Sequence, residues 1–225
     1  MAVIFVAGGT GYLGRELIPR LLERGHHVKA LARPGSEGRL PRGARPVVGD
    51  ALDGATFVSA VPPADTFVQL VGVAHPSPAK ASQFRTIDLV SARESVGAAV
   101  KAGVRHFVYV SVAQPAPVMK AYQAARAEGE RLLRESGLHA TVLRPWYVLG
   151  PGHQWARALL PLYWLLERWP STRETAQRLG LVTLAQMTAC LVRAVEQPAS
   201  GFRVVEVPEI RASALPSPRR GEGQG

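Results

Sequence analysis

Asparagine is missing from all 225 residues, and cysteine occurs once, at Cys190. A single cysteine excludes an intramolecular disulfide and a thiolate metal cluster, and it suits a reducing compartment. The six histidines (His26, His27, His75, His106, His139, His153) show no ligand spacing, so no metal is expected. Lysine is scarce too: Lys29, Lys80, Lys101 and Lys120 are the only four among 27 basic residues. The remaining charge is arginine scattered along the chain, so the net charge of +10 reads as solvated surface and no nucleic-acid partner is expected. The apolar start, Met1 to Gly8, lacks the basic region and length of a signal peptide. No hydrophobic run reaches the length of a bilayer span. These features predict a cytoplasmic protein.

What is present is an alternation of short β-branched runs with longer amphipathic segments, which predicts βαβ units and a parallel sheet. Strands are expected at Val3 to Ala7, His27 to Ala32, Arg45 to Val48, Thr66 to Val71, Phe107 to Val112, Ala140 to Leu143 and Phe202 to Val207. Helices are expected at Tyr12 to Arg24, Ile87 to Ala102, Ala121 to Ser136 and Leu184 to Val195, the first three stopped by Gly25, Gly103 and Gly137. Pro34 to Gly43 reads as a loop. The fold class is therefore α/β, a Rossmann-type doubly wound sheet with helices on both faces. One domain is expected over 1–211, with 146–211 as a smaller substrate-side part and 212–225 as a disordered tail.

The first strand runs into Gly8-Gly9-Thr10-Gly11-Tyr12-Leu13-Gly14-Arg15, with glycines at 8, 11 and 14. Between a buried strand and an amphipathic helix, that spacing supplies a tight turn, close backbone approach and open helix N–H groups, as the pyrophosphate of a dinucleotide requires. Gly8, Thr10, Gly11, Tyr12, Leu13, Gly14 and Arg15 are thus candidate binding residues. The second strand ends Ala30-Leu31-Ala32-Arg33, without the carboxylate that bonds an unmodified ribose. Arg33 would face a 2′-phosphate, with Arg15, Arg39 or Arg42 as helpers, which points to NADP with NAD as the alternative. After the third strand comes Gly49-Asp50-Ala51; Asp50 either accepts the adenine amino group beside Ala51 or caps a helix beginning near Asp53.

These segments, with Ala102-Gly103-Val104-Arg105-His106-Phe107-Val108-Tyr109-Val110-Ser111, Leu143-Arg144-Pro145 and Gly150-Pro151-Gly152, resemble the atypical short-chain dehydrogenase/reductase superfamily over about residues 1 to 210. Within it the chain is similar to the NmrA-like and complex I accessory-subunit-like NAD(P)-binding proteins. The resemblance implies a nicotinamide near Gly72, Ser111 and Pro145. It also implies a tyrosine acid/base, a lysine four residues later and an orienting serine. Ser111, Tyr122 and Arg126 align best. None of Tyr12, Tyr109, Tyr122, Tyr147 and Tyr163 has lysine at that spacing, and the relay asparagine is absent. Arg126 would hold and polarise without passing a proton on.

The aromatic segment Trp155 to Trp169 is expected in the core, as a lid on an apolar ligand, or at a membrane surface through Arg157, Arg168 and Arg173. The last two suit a quinone-like substrate and a place peripheral to the inner membrane. Two functions follow. One is an NADP-preferring oxidoreductase acting on a small carbonyl or quinone-like substrate, and the other is a non-catalytic NAD(P)(H) redox sensor or respiratory-complex accessory factor.

Overall fold

Side chains alternate faces along a strand, so a strand packed on both sides needs apolar residues at every position. Val3–Ala7 (β1), His27–Ala32 (β2), Thr66–Gln69 (β4) and His106–Val110 (β5) approach that composition. In the computed structural model, which describes residues 1–151 and 168–213, they join Arg45–Val48 (β3), His139–Arg144 (β6) and Phe202–Glu206 (β9) in one parallel seven-stranded sheet. The order is β3-β2-β1-β4-β5-β6-β9. Register is pinned by pairs such as Ile4 with Val28 and Phe67 with Phe107.

The alternation feeds two cores. Ile4, Val6, Val68 and Val108 point to one face, against Leu17, Ile18 and Leu21 of Tyr12–Glu23 (α1) and Met187 and Leu191 of Leu184–Glu196 (α6). On the other face, rings pack across neighbouring strands, Phe5 tilted against Phe67 at 4.9 Å and Phe67 stacked on Phe107 at 5.1 Å between centroids. That face is covered by Val90–Lys101 (α3), through Ala92, Val96 and Ala99, and by Leu133 of Lys120–Glu135 (α4). Each fully buried phenylalanine stabilises the fold by about 1.5–3 kcal/mol.

The second expected helix, Ile87 to Ala102, differs from its expected form. It opens with one turn, Ala81–Gln83 (α2), and passes through a π-helical stretch, Phe84–Leu89, before α3 begins. β4 and β5 end two residues earlier than the periodicity suggests, and Leu70 to Ala74, Ser111 and Val112 line a cleft at the sheet's edge. The smaller C-terminal part contains a second parallel pair, Tyr147–Leu149 (β7) with Leu181–Thr183 (β8), and the helix Pro170–Arg178 (α5). Thr183 and Gln186 form a reciprocal capping box at the start of α6. Val207–Arg211 (α7) closes the described chain, and Ser213 donates to the Glu209 carbonyl, so order runs to the end of the described residues. Residues 214–225 and most of Trp155 to Trp169 lie outside those residues. Among the described residues no helix is long and apolar enough to cross a membrane.

Candidate active site

After β1 the chain moves outward to β2 and β3, then returns to β4 on β1's other side, so the loops after β1 and β4 diverge. Crevices open at such switch points. Here two hollows of about 450 and 330 Å³ share Gly8, Gly11, Leu70, Gly72, Val73 and Ala74 and form one cleft. A larger hollow, about 530 Å³, lies at the opposite strand ends beside His26, His106 and His139. Its Asp65 and Glu196 are already paired with Arg105 and Arg24, and no glycine turn faces it.

The glycines divide their work. Gly8 has φ +90°, and a Cβ there would stand 2.9 Å from the Leu70 carbonyl carbon, so this turn needs glycine for both conformation and space. At Gly14 a Cβ would lie 2.5 Å from the Gly8 oxygen, which makes Gly14 the contact that seats α1 against the turn rather than part of the cleft lining. Gly11, at the α1 N-cap, is exposed, and its Cβ would meet only the Gly8 oxygen, at 3.2 Å. It leaves the helix N–H groups approachable. Thr10 lines the outer hollow; Tyr12 and Leu13 line the inner one. Arg15 is exposed and outside the lining, as are Arg39 and Arg42.

Arg33 and Ser36 reach the outer hollow from the loop after β2, and Asp50 and Ala51 from the loop after β3. Ser36, Lys80 and Gln83 carry no spacing signal that would have marked them. The Asp50 carboxylate takes the Leu52 N–H at 2.9 Å and braces its own loop. The cap of the following turn, Gly54–Thr56, is Asp53, which accepts from Ala55. The capping alternative for Asp50 therefore falls to Asp53.

The inner hollow collects Ser111, Tyr122, Arg126, Gly72 and Pro145, residues that lie far apart in sequence. Tyr122 packs against Phe84 at 4.9 Å, and the Arg126 guanidinium carbon sits 5.2 Å from the Tyr122 ring centre. Arg126 is buried. One terminal nitrogen donates to the Val110 carbonyl at 2.8 Å and the other to Asp88 at 2.6 Å. The second Asp88 oxygen accepts the Val73 N–H at 3.0 Å, tying the loop after β4 to the same pair. The Arg126 guanidinium carbon also lies 5.8 Å from the centre of the buried Tyr109 ring. A Cβ on Gly72 would lie 2.2 Å from Arg126, so the guanidinium occupies the floor under that glycine. Burial pushes the Asp88 carboxyl above its ordinary range, though Arg126 and the Val73 N–H pull the other way. For Arg126, desolvation opposes the charge but is outweighed by Tyr122, Tyr109 and Asp88, so the guanidinium stays cationic.

Ser111, at the end of β5, donates to Glu130 at 2.5 Å. Glu130 also accepts from Gln114 at 3.0 Å and twice from Arg144, at 3.0 and 2.5 Å; Arg144 in turn donates to Glu206. Sequence reasoning missed both Asp88 and Glu130. The available signals were an acid inside the apolar run Ile87-Asp88-Leu89-Val90, and a residue four beyond Arg126 and eight beyond Tyr122 on one helix face.

A parallel sheet with a glycine-cradled cleft at its switch point defines a Rossmann-type dinucleotide-binding protein. Residues 8–154 match the NAD(P)H-binding family, and the chain belongs to it, as an atypical member of the short-chain dehydrogenase/reductase superfamily. It is 34% identical over 180 residues to a 3-diazoavenalumate denitrifying reductase of Streptomyces, covering 68% of this chain and 59% of that protein. It is 26% identical over 213 residues to the ceramide reductase of Caulobacter vibrioides, covering 93% and 65%. The chain thus spans about three fifths of the length of these curated relatives. Among solved structures, the Bordetella bronchiseptica enzyme WbmH in complex with NAD+ superposes with a TM-score of 0.68 at 21% identity, over 92% of this chain and 75% of that one.

Proposed function

We propose that this protein is an NADP-preferring oxidoreductase that reduces a small, apolar carbonyl or quinone-like acceptor. One observation carries the reading: Tyr122 lines a hollow rich in apolar and aromatic side chains, Trp146, Tyr147 and Val148 among them, with a buried cation fixed over its ring. The open Gly11 and the positive φ of Gly8 fit a pyrophosphate, and Arg33 beside Ser36 fits a 2′-phosphate. Asp50 and Ala51 would hold the adenine edge, and Gly72, Arg126 and Pro145 the nicotinamide end. NADPH, when bound, supplies the hydride that the carbonyl carbon accepts. Tyr122 gives its phenolic proton to the carbonyl oxygen, and the phenolate, stabilised by the Arg126 charge, recovers a proton from water. Arg126 keeps its own protons throughout. The names of two relatives, both reductases, support the reductive direction.

The test is steady-state NADPH oxidation with a panel of quinones and aryl ketones, using wild type and Tyr122→Phe, alongside NADPH titrations. Tyr122→Phe is expected to lower carbonyl turnover about 10²- to 10⁴-fold while cofactor affinity holds. Full turnover in that variant overturns the proton role. The second reading, a non-catalytic NAD(P)(H) sensor or accessory factor, is favoured by the commitment of both Arg126 terminal nitrogens to Asp88 and Val110. Intact binding with no turnover of any acceptor would select it.

A further inference from the structure

A serine that orients a carbonyl must donate its hydroxyl proton to the substrate, but the proton of Ser111 is engaged elsewhere. Its partner Glu130 is buried, and all four bonds to the carboxylate come from donors: Ser111, Gln114 and two nitrogens of Arg144. Arg144 cannot be deprotonated, and a carboxylate clamped by it is an acceptor only. The short 2.5 Å contact is therefore a charge-assisted bond that fixes the direction of the Ser111 hydroxyl. What Ser111 retains toward a ligand is lone pairs. A bare carbonyl oxygen against them sets acceptor against acceptor, whereas a hydroxyl or amide N–H satisfies them. Tyr122, two helical turns before Glu130 on α4, supplies the complementary donor in the same hollow.

We infer that the inner hollow selects acceptors that carry a hydrogen-bond donor next to the reducible carbonyl, with Glu130 as the positioning residue that sets this preference through Ser111. The inference deepens the reductase reading and rests on it for the carbonyl. The donor-bearing group sits at Ser111 while the carbonyl oxygen takes the proton of Tyr122. An α-hydroxyketone meets both requirements, and a site built around a substrate hydroxyl discriminates against the analogue lacking it.

The probe is a matched pair, 2-hydroxyacetophenone and acetophenone. Equilibrium binding of each is measured by calorimetry on protein saturated with NADP+, where no reduction occurs, and kcat/KM for each is measured with NADPH. Wild type is expected to bind the hydroxyketone about tenfold more tightly, the worth of one hydrogen bond to an otherwise unpaired group. Glu130→Ala removes the acceptor that holds the Ser111 proton while Arg144 keeps its bond to Glu206, so the hydroxyl is free to donate and the ratio should fall toward one with acetophenone binding improved. Ser111→Ala removes the acceptor altogether and should give a ratio of one with acetophenone affinity unchanged, a result available even where Glu130→Ala does not fold. A purely structural Glu130 would weaken both ligands alike. Equal binding of the pair by wild type, or a tenfold ratio surviving in Ser111→Ala, overturns donor selection. Preserved binding ratios with no NADPH oxidation by either ketone defeat the reductase reading instead.

Discussion

Removing the carboxylate of Asp88 should destabilise the protein far more than an average substitution. Asp88 is fully buried and the Arg126 side chain is 6% exposed, so Asp88→Ala strands a guanidinium where water does not reach it. Breaking a buried pair from one side costs about 3–5 kcal/mol, and the Val73 N–H loses its acceptor as well, adding up to about 1 kcal/mol. A domain of this kind has roughly 5–15 kcal/mol to lose. The Val110 carbonyl, 2.8 Å from Arg126, offsets little because it is a dipole. Replacing both partners by apolar residues, Asp88→Leu with Arg126→Met, removes two desolvated charges together, and most of the stability should return. Urea unfolding of wild type, the single and the double variant, at a common slope, measures the difference. A single-variant loss under about 1 kcal/mol, or a double variant no better than the single, refutes this account of the pair. The double variant also separates fold from chemistry, since it should be folded yet poor in turnover.

Gly14→Ala should unfold or strongly destabilise the chain, because its Cβ would stand 2.5 Å from the Gly8 oxygen, while Gly11→Asp should keep the fold and lose NADPH binding; thermal melts and calorimetry distinguish them. Arg33→Ala should weaken NADPH by about ten- to a hundredfold and leave NADH nearly unchanged, and an equal loss for both cofactors would mean Arg33 acts structurally. His106 is buried between Thr66 and Thr141, and burial, helped by His139, lowers its pKa from 6.5 to about 4. The unfolded chain therefore takes up that proton first as pH falls, so stability present above pH 6.5 should drop by about 2 kcal/mol at pH 5. A urea-midpoint profile of wild type against His106→Gln checks this, and parallel profiles would count against the assignment.

The parts of this protein legible in its sequence are those whose cause is local. Central strands announce themselves because both faces are buried, and the glycine turn because one conformation and one close approach need glycine at fixed spacing. The pair β7 and β8 stayed hidden: three residues each, Tyr147–Leu149 and Leu181–Thr183, are too few to show a period. Pro170–Arg178 has almost no apolar stripe to read, with Ala176 its one buried apolar residue. The site divides the same way. Ser111, Tyr122, Arg126 and Pro145 were reachable through motif order, whereas Arg15, Arg39 and Arg42 shared only a charge with the ligand and lie outside the cleft lining.

The loss of the family lysine and asparagine is visible in the sequence, and taken alone it suggests a site with its chemistry deleted. The compensating residues are invisible there, because an ion pair is a relation between positions that the fold brings together. Arg126 and Asp88 are separated by 38 residues, Glu130 and Ser111 by 19, and the helices on which or just before which these carboxylates sit also carry less buried acids, Glu94 and Glu128. What separates Asp88 and Glu130 from those neighbours is burial, and a buried carboxylate persists only where donors surround it. Two of the polar groups expected to touch substrate or ribose, Arg126 and Ser111, are thus each held by one buried acid. Arg126 is paired with Asp88 and fixed in place, and by our inference Glu130 makes Ser111 an acceptor. Under the proposed reading, the departure from the family pattern is a rearrangement of hydrogen-bond direction that would change what the hollow accepts without emptying it of function.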